Sequence, residues 1–213
     1  MSMTEMKLTE FLDLTASDAP APGGGSVAGL AAALGSALGE MVLQLSYGKK
    51  SYLALDSDIQ KSLEASGQRL KSLRTQFLGL IDRDTEAFNA FMDALKLPKS
   101  NEEEKKKRSA AMAEASKKAT AVPMETAEAC VSLLECLPAI ARYGNKNAVT
   151  DAGVAALLAR AACEAAIFNV KINLPGIDDP SFVDEARLHC QNWLDRAEKI
   201  NQEVVAVVYS KIE

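Results

Sequence analysis

A lone carboxylate set into an apolar helical stripe is the part of this chain most suited to chemistry. In alternating steps of four and three the stripe reads Ile59, Leu63, Ser66, Leu70, Leu73, Phe77, Leu80, Asp84, Ala87 and Phe91, and only Ser66 and Asp84 are polar. A register held this long predicts one helix face packed against other helices. An ionised carboxylate left there without a partner would cost on the order of several kcal/mol. Asp84 therefore needs a partner, a raised pKa or a function, unless the stripe drifts around a straight helix and leaves it at the edge. If buried, its carboxyl moves toward the range in which it can exchange protons at neutral pH, which is what a general acid/base requires.

Two further segments carry polar chemistry. Gly23-Gly24-Gly25-Ser26 opens a helix, so Gly24, Gly25 and Ser26 form a candidate anion seat where free N–H groups and the helix dipole converge. Lys49 and Lys50 stand beside Tyr47 and Tyr52 in the turn Ser46 to Tyr52; they are either ligand cations or ordinary cations favouring a helix C-terminus. The single histidine, His189, falls on the apolar stripe of the last helix, where core or interface packing is its default role. Cys130, Cys136, Cys163 and Cys190 lack metal-ligand spacing, and the first three, among Ala, Val and Leu, read as small core fillers. A phosphate loop, a dinucleotide glycine fingerprint, a zinc ligand set and a GxSxG elbow are all missing. What remains is carboxylate, amide and lysine chemistry in a cleft between helices, with no metal site expected.

These groups must be positioned by helices. Leu8, Phe11, Leu12 and Leu14 mark a short first helix, ended by the segment Ala19 to Gly25. The next helix shows an apolar face of Val27, Leu30, Ala31, Leu34, Leu38, Met41 and Leu45, with Gly25, Gly29, Ala32, Ser36 and Gly39 scattered along it. Each helical glycine costs roughly 1 kcal/mol, so several in one helix suggest the close approach of another backbone or a ligand. Glu40 and Gln44 argue against a membrane span. A third long helix is expected from about Asp56 to Leu97, and a fourth capped by Ser100 with Glu103 as its partner. Along the fourth, Glu102–Lys106, Glu103–Lys107 and Glu104–Arg108 pair at four-residue spacing, and Pro123 should kink or restart it. An alanine-rich helix follows, capped by Thr150 or Asn147, and a last one begins after Pro180.

The expected architecture is all-α: six to eight helices, several long, in an elongated bundle forming one domain over residues 1–213. So many small residues on long helices suggest burial between subunits, and hence a twofold homodimer. A net charge of -5 argues against a nucleic-acid-coating surface. Cysteine usage without a basic apolar leader points to a reduced, cytoplasmic setting.

Several ordered segments carry a resemblance: Pro22 to Ala28 (PGGGSVA), Gly48 to Tyr52 (GKKSY), Asp84 to Phe88 (DTEAF), Gly144-Asn145, Thr150 to Ala155 (TDAGVA) and Asn169 to Leu174 (NVKINL). Together they resemble the cyclodeaminase/cyclohydrolase family of folate enzymes, over nearly the whole chain. Thr150 stands where the family pattern leads one to expect a serine, and keeps its hydroxyl. The resemblance implies an all-helical dimer acting at the N5/N10 one-carbon bridge of tetrahydrofolate. Either 5-formiminotetrahydrofolate is cyclised to 5,10-methenyltetrahydrofolate with release of ammonia, or, as the second reading, that product is hydrolysed to 10-formyltetrahydrofolate. It implies Asp84 as the acid/base and no metal or redox cofactor. Lys49 and Lys50 would hold the glutamate carboxylates of a folate, with or without a polyglutamate tail, or tune Asp84. Asn145, Asp151, Asn169 and Asn173 would bond the pterin or support the site. A helical scaffold without activity is the competing class.

Overall fold

The computed structural model describes residues 2–213, which form seven α-helices and, among the described residues, no strand. These are α1 (Leu8–Thr15), α2 (Gly24–Gln44), α3 (Lys50–Leu53), α4 (Ser57–Leu95), α5 (Glu102–Tyr143), α6 (Val149–Asn173) and α7 (Pro180–Ile212). Helices α2, α4, α5 and α6 close a ring in which each packs against the next, and α7 lies along α5 and α6. At 1.5 Å per residue α4 and α5 run about 60 Å.

The α4 stripe is the spine of the core. Leu63, Leu70, Leu73, Phe77 and Leu80 are buried, facing Leu133, Leu134, Leu137 and Ile140 of α5. Ser66 is half-buried and returns its hydroxyl to Ser62 O at 2.9 Å. From α6 the core receives mostly methyl groups: Ala152, Ala156, Ala159 and Ala166 are fully buried. All four cysteines are free and buried; burial pushes the Cys163 thiol up to about 12 and Cys136 to about 11, which makes them inert fillers.

Helix α2 is turned over relative to the sequence expectation. Over its first four turns its small residues face inward: Gly25, Ala28, Gly29, Ala32, Gly35, Ser36 and Gly39 are buried, while Val27, Leu34, Met41 and Leu45 are exposed. The close approaches are within the chain. A β-carbon at Gly29 would stand 3.0 Å from Ile81 Cγ1, one at Gly35 3.1 Å from Ala155 O, and one at Gly39 2.9 Å from Leu70 Cδ1. Three neighbouring helices thus account for the small-residue stripe, rather than a second subunit. A helix seated against that many neighbours has little room inside for large side chains until its last turn, where Val42 and Leu43 are buried.

Several local expectations shift. Asn101, not Ser100, caps α5, accepting from Glu104 N at 2.8 Å, while Glu104 Oε2 accepts from Ser100 N at 2.8 Å. That role takes Glu104 away from Arg108, whose Nε instead donates to Leu95 O at 3.1 Å; of the expected charge pairs Glu103–Lys107 forms, at 2.7 Å. Helix α5 continues through Pro123 and Pro138, because packing along its length outweighs the bond lost at each proline. No side chain caps α6; a 3₁₀ turn, Lys146–Ala148, leads into it. Gly48 takes the positive φ (74°) that lets the chain turn from α2 into α3. His189 is exposed rather than in the core, with its ring stacked on Trp193 at 5.3 Å.

Replacing Gly29 by Leu should destabilise the chain itself by about 1–3 kcal/mol, because the new side chain meets Ile81 and the Phe77 carbonyl inside one subunit. Thermal melting checks this; an unchanged midpoint would show that α2 and α4 can part without cost.

Candidate active site

Asp84 meets the first turn of α2 end-on. Ser26, fully buried, donates its hydroxyl to Asp84 Oδ2 at 2.9 Å, and the Ser26 backbone N–H also points at the carboxylate. Gly25 makes this approach possible: a β-carbon there would land on Asp84 Oδ1. The anion seat expected at Gly24-Gly25-Ser26 therefore exists, but it faces a carboxylate of the protein itself. Among the described residues no cation forms a salt bridge with Asp84. Burial, the dominant influence, raises its pKa, and the two bonds from Ser26 draw it part of the way back.

The carboxylate opens into a cleft of about 550 Å³. Gly23, Gly24 and Gly25 form one edge, with Pro20 and Ala21 from the connection before α2. Phe88, Phe91, Met112 and Ile172 supply apolar wall, and Thr85, Ser116, Asn169 and Asn173 supply polar atoms. Asn169 Nδ2 donates to Ala165 O at 2.8 Å and Asn173 Nδ2 to Ala119 O at 3.0 Å, which leaves both amide oxygens as acceptors one helical turn apart. Gly24 lets Asn169 come close, since a β-carbon there would be 3.3 Å from its amide nitrogen.

The structure thus gathers Gly24, Gly25, Ser26, Asp84, Asn169 and Asn173, and separates Lys49, Lys50, Asn145 and Asp151 from them. Helices α2 and α6 run antiparallel and unbroken, so the residues before and after them lie at opposite ends. Lys49 follows Ser26 by roughly 30 Å of helix and turn, and Asp151 lies about 27 Å along α6 from Asn169. Asn145 holds that far end together: its Nδ2 donates to Leu45 O at 2.9 Å, its N–H donates to Ser46 Oγ at 2.7 Å, and its Oδ1 accepts from Asn147 N at 3.0 Å. It is a clasp between two turns and does not reach Asp84. Sequence reasoning missed Thr85, Phe88, Met112, Ser116 and Ile172; of these, Thr85 and Phe88 lie in the DTEAF segment and Ile172 in NVKINL, and those three were in plain view. Among the described residues no group of three or more His, Cys, Asp or Glu gathers as a metal site would.

Fold and site together define an all-helical protein presenting one desolvated carboxylate to an apolar cleft edged by amide acceptors. The formiminotransferase-cyclodeaminase family model matches residues 7–192, and the chain belongs to that family. It is 40% identical, over 95% of both chains, to a methenyltetrahydrofolate cyclohydrolase of Methylorubrum extorquens. It is 37% identical to the formimidoyltransferase-cyclodeaminase of Gallus gallus over 94% of this chain, which spans 36% of that longer protein. The crystal structure of formiminotetrahydrofolate cyclodeaminase from Thermotoga maritima superposes with a TM-score of 0.85 at 30% identity, covering 98% of each chain.

A carboxyl with a raised pKa binds its proton more tightly in the folded chain than in the unfolded one. Its contribution to stability is full below the ordinary carboxylate pKa and is lost as pH rises through the raised value. Asp84→Asn, which cannot ionise, should therefore melt above the unaltered protein at pH 7 and lose that advantage near about pH 4. Equal melting at both pH values would mean that the carboxylate is fully solvated.

Proposed function

We propose that the protein is a folate one-carbon enzyme working at the carbon between N5 and N10, with Asp84 as its proton carrier. The observation that carries this is Asp84 itself: a carboxyl raised by burial, held by Ser26, at the head of a cleft with apolar walls and two amide acceptors. Hydrolysis of 5,10-methenyltetrahydrofolate is favoured by the full-length match to the Methylorubrum cyclohydrolase. Water adds to the methenyl carbon while Asp84 takes a proton from it. The tetrahedral carbon then collapses, the carbon–N5 bond breaks, Asp84 returns the proton to N5, and the hydroxyl proton leaves to give 10-formyltetrahydrofolate. Cyclodeamination is the second reading, favoured by the full-length match to the Thermotoga cyclodeaminase. There N10 attacks the formimino carbon and gives its proton to Asp84, which passes it to the former imino nitrogen; the bond from the carbon to that nitrogen breaks and it leaves as ammonia. Both run through one tetrahedral carbon and use neither metal nor redox cofactor. The cytoplasm, where reduced folates circulate, is the compartment this reading assigns.

The same reading includes a homodimer. Val27, Leu34 and Met41 of α2 and Val154, Leu157, Phe168 and Ile172 of α6 are exposed on the outward sides of two adjacent helices, Leu34 at 52% and Ile172 at 76%. A second copy related by a twofold axis perpendicular to these helices would cover them and lay its Lys49–Asp151 end beside the open cleft. Ile172 belongs both to that outward face and to the cleft wall, so the pairing would close the site as well.

Asp84→Asn should lower turnover about 100-fold or more, followed by methenyltetrahydrofolate absorbance. Near-normal turnover would remove Asp84 from the mechanism, and failure of the unaltered protein to act on either folate would remove the enzymatic reading. Leu34→Glu with Leu157→Glu should convert dimers to monomers in sedimentation while leaving helical content intact. An unaltered protein that sediments as a monomer would rule the dimer out.

A further inference from the structure

Thr85 follows Asp84 on α4 and lines the same cleft, and its hydroxyl is placed unlike those of the other threonines that lie past the first turn of an α-helix. Thr15, Thr75, Thr120 and Thr126 each donate to the carbonyl oxygen four residues back, at 2.7, 3.2, 2.8 and 3.1 Å. That is an ordinary resting place for a helical threonine hydroxyl. Among the described residues Thr85 Oγ1 makes no such bond to Ile81 O. Its contact is Ser26 Oγ, at 3.4 Å, and Ser26 Oγ itself stands 3.4 Å from Ile81 O. Ser26 thus occupies the approach to the carbonyl that Thr85 would use. Thr85 is left half-buried in the cleft wall with its oxygen uncommitted.

The direction of these bonds follows from Asp84 outward. An ionised Asp84 only accepts, so the one hydroxyl proton of Ser26 lies on Asp84 Oδ2, at 2.9 Å. The bond between the two hydroxyls must then run from Thr85 to Ser26, which leaves Thr85 Oγ1 with lone pairs, not a proton, to offer. Asp84 and Thr85 are therefore two acceptors side by side at the head of the cleft, both tied to one serine oxygen, with apolar Phe88 and Phe91 beyond. Two neighbouring acceptors fit a molecule with two protons on one small atom. Water is that molecule: with one proton on each acceptor, its lone pair points away from both and into the cleft.

We propose that Thr85, together with Asp84, holds the attacking water in the hydrolysis of 5,10-methenyltetrahydrofolate, a role that rests on the hydrolytic reading of the site. The water oxygen forms the new bond to the methenyl carbon with its own lone pair, and the electron pair of the carbon–nitrogen double bond moves onto nitrogen. One water proton passes to Asp84. The other stays on the new hydroxyl, against Thr85 Oγ1, and leaves to solvent when the carbonyl forms. Thr85 neither gains nor loses a proton and acts by fixing where the lone pair of the water points. Cyclodeamination, whose nucleophile N10 belongs to the folate itself, has no water to hold.

The test is steady-state hydrolysis of 5,10-methenyltetrahydrofolate by the full chain and its Thr85 variants. Thr85→Val keeps the shape and removes the hydroxyl; it should lower kcat about tenfold, the scale of one hydrogen bond, and leave KM within about twofold. Thr85→Ser should recover most of kcat. The pH at which activity titrates should be the same in all three proteins, because Asp84 keeps its bonds from Ser26. Should Thr85→Val fail to fold, Thr85→Ala carries the same expectations. A raised KM with kcat unchanged would make Thr85 a contact to the folate and overturn the water hold. So would an unaltered kcat, a loss that serine does not recover, or a displaced pH midpoint, which would place the effect on Asp84. No hydrolysis by the unaltered protein overturns the hydrolytic reading and this inference with it.

Discussion

The closeness of α2 to Asp84 is the constraint from which the site follows. Gly25 has no β-carbon because that space is taken by a carboxylate oxygen, and Ser26 spends its hydroxyl and its N–H on the same group. Two opposed effects meet there. Burial withdraws solvent from the charge, while the two hydrogen bonds favour it, and burial dominates. A cation in place of Ser26 would have settled the carboxylate as a permanent anion. With neutral donors at the start of a helix it is held in place and still able to exchange a proton.

That contact requires a helix thin enough to sit against three others, and α2 is built accordingly. Glycine, alanine and serine line its inner side, each helical glycine being unfavourable locally, and the deficit is met by packing against Ile81, Ala155, Leu70 and Leu137. Helix α6 follows the same rule with alanine. The cost appears on the outside, where both helices carry the large apolar side chains that a usual amphipathic helix would bury. By length and composition alone α2 and α6 could pass for membrane spans, yet half or more of each sits inside the bundle. An exposed apolar sheet of this kind is the physical motive for the proposed dimer.

How much could be read beforehand differs from residue to residue. The α4 register was legible because apolar steps of four and three, sustained from Ile59 to Phe91, arise where one helix face is packed along its whole length. It placed Asp84 on that packed face. The orientation of α2 was not legible, since it contains small and large apolar residues on opposite sides and a pattern cannot say which side the neighbours take. Asn169 and Asn173 fell in the cleft as expected, whereas Asn145 and Asp151, drawn from motifs of the same standing, fell at the other end. Within one unbroken helix the separation of Asp151 from Asn169 follows from length alone; what motif order leaves open is which end of α6 meets Asp84. The expected Glu104–Arg108 pair failed on a reasonable assumption, that charges four apart on a helix pair with one another; capping diverted Glu104 to Ser100 and left Arg108 pointing elsewhere.

By itself the sequence determined the helical class, the long spine through Leu63 and Phe77, the burial of Cys130, Cys136 and Cys163 and the singular position of Asp84, because each depends on periodicity or composition within one segment. Only the tertiary structure decided that Ser26 bonds Asp84, that α2 turns its small side inward, and that Lys49 and Lys50 stand apart from the cleft within one chain. Those outcomes depend on which ends of antiparallel helices meet, and that is settled by packing among segments far apart in sequence.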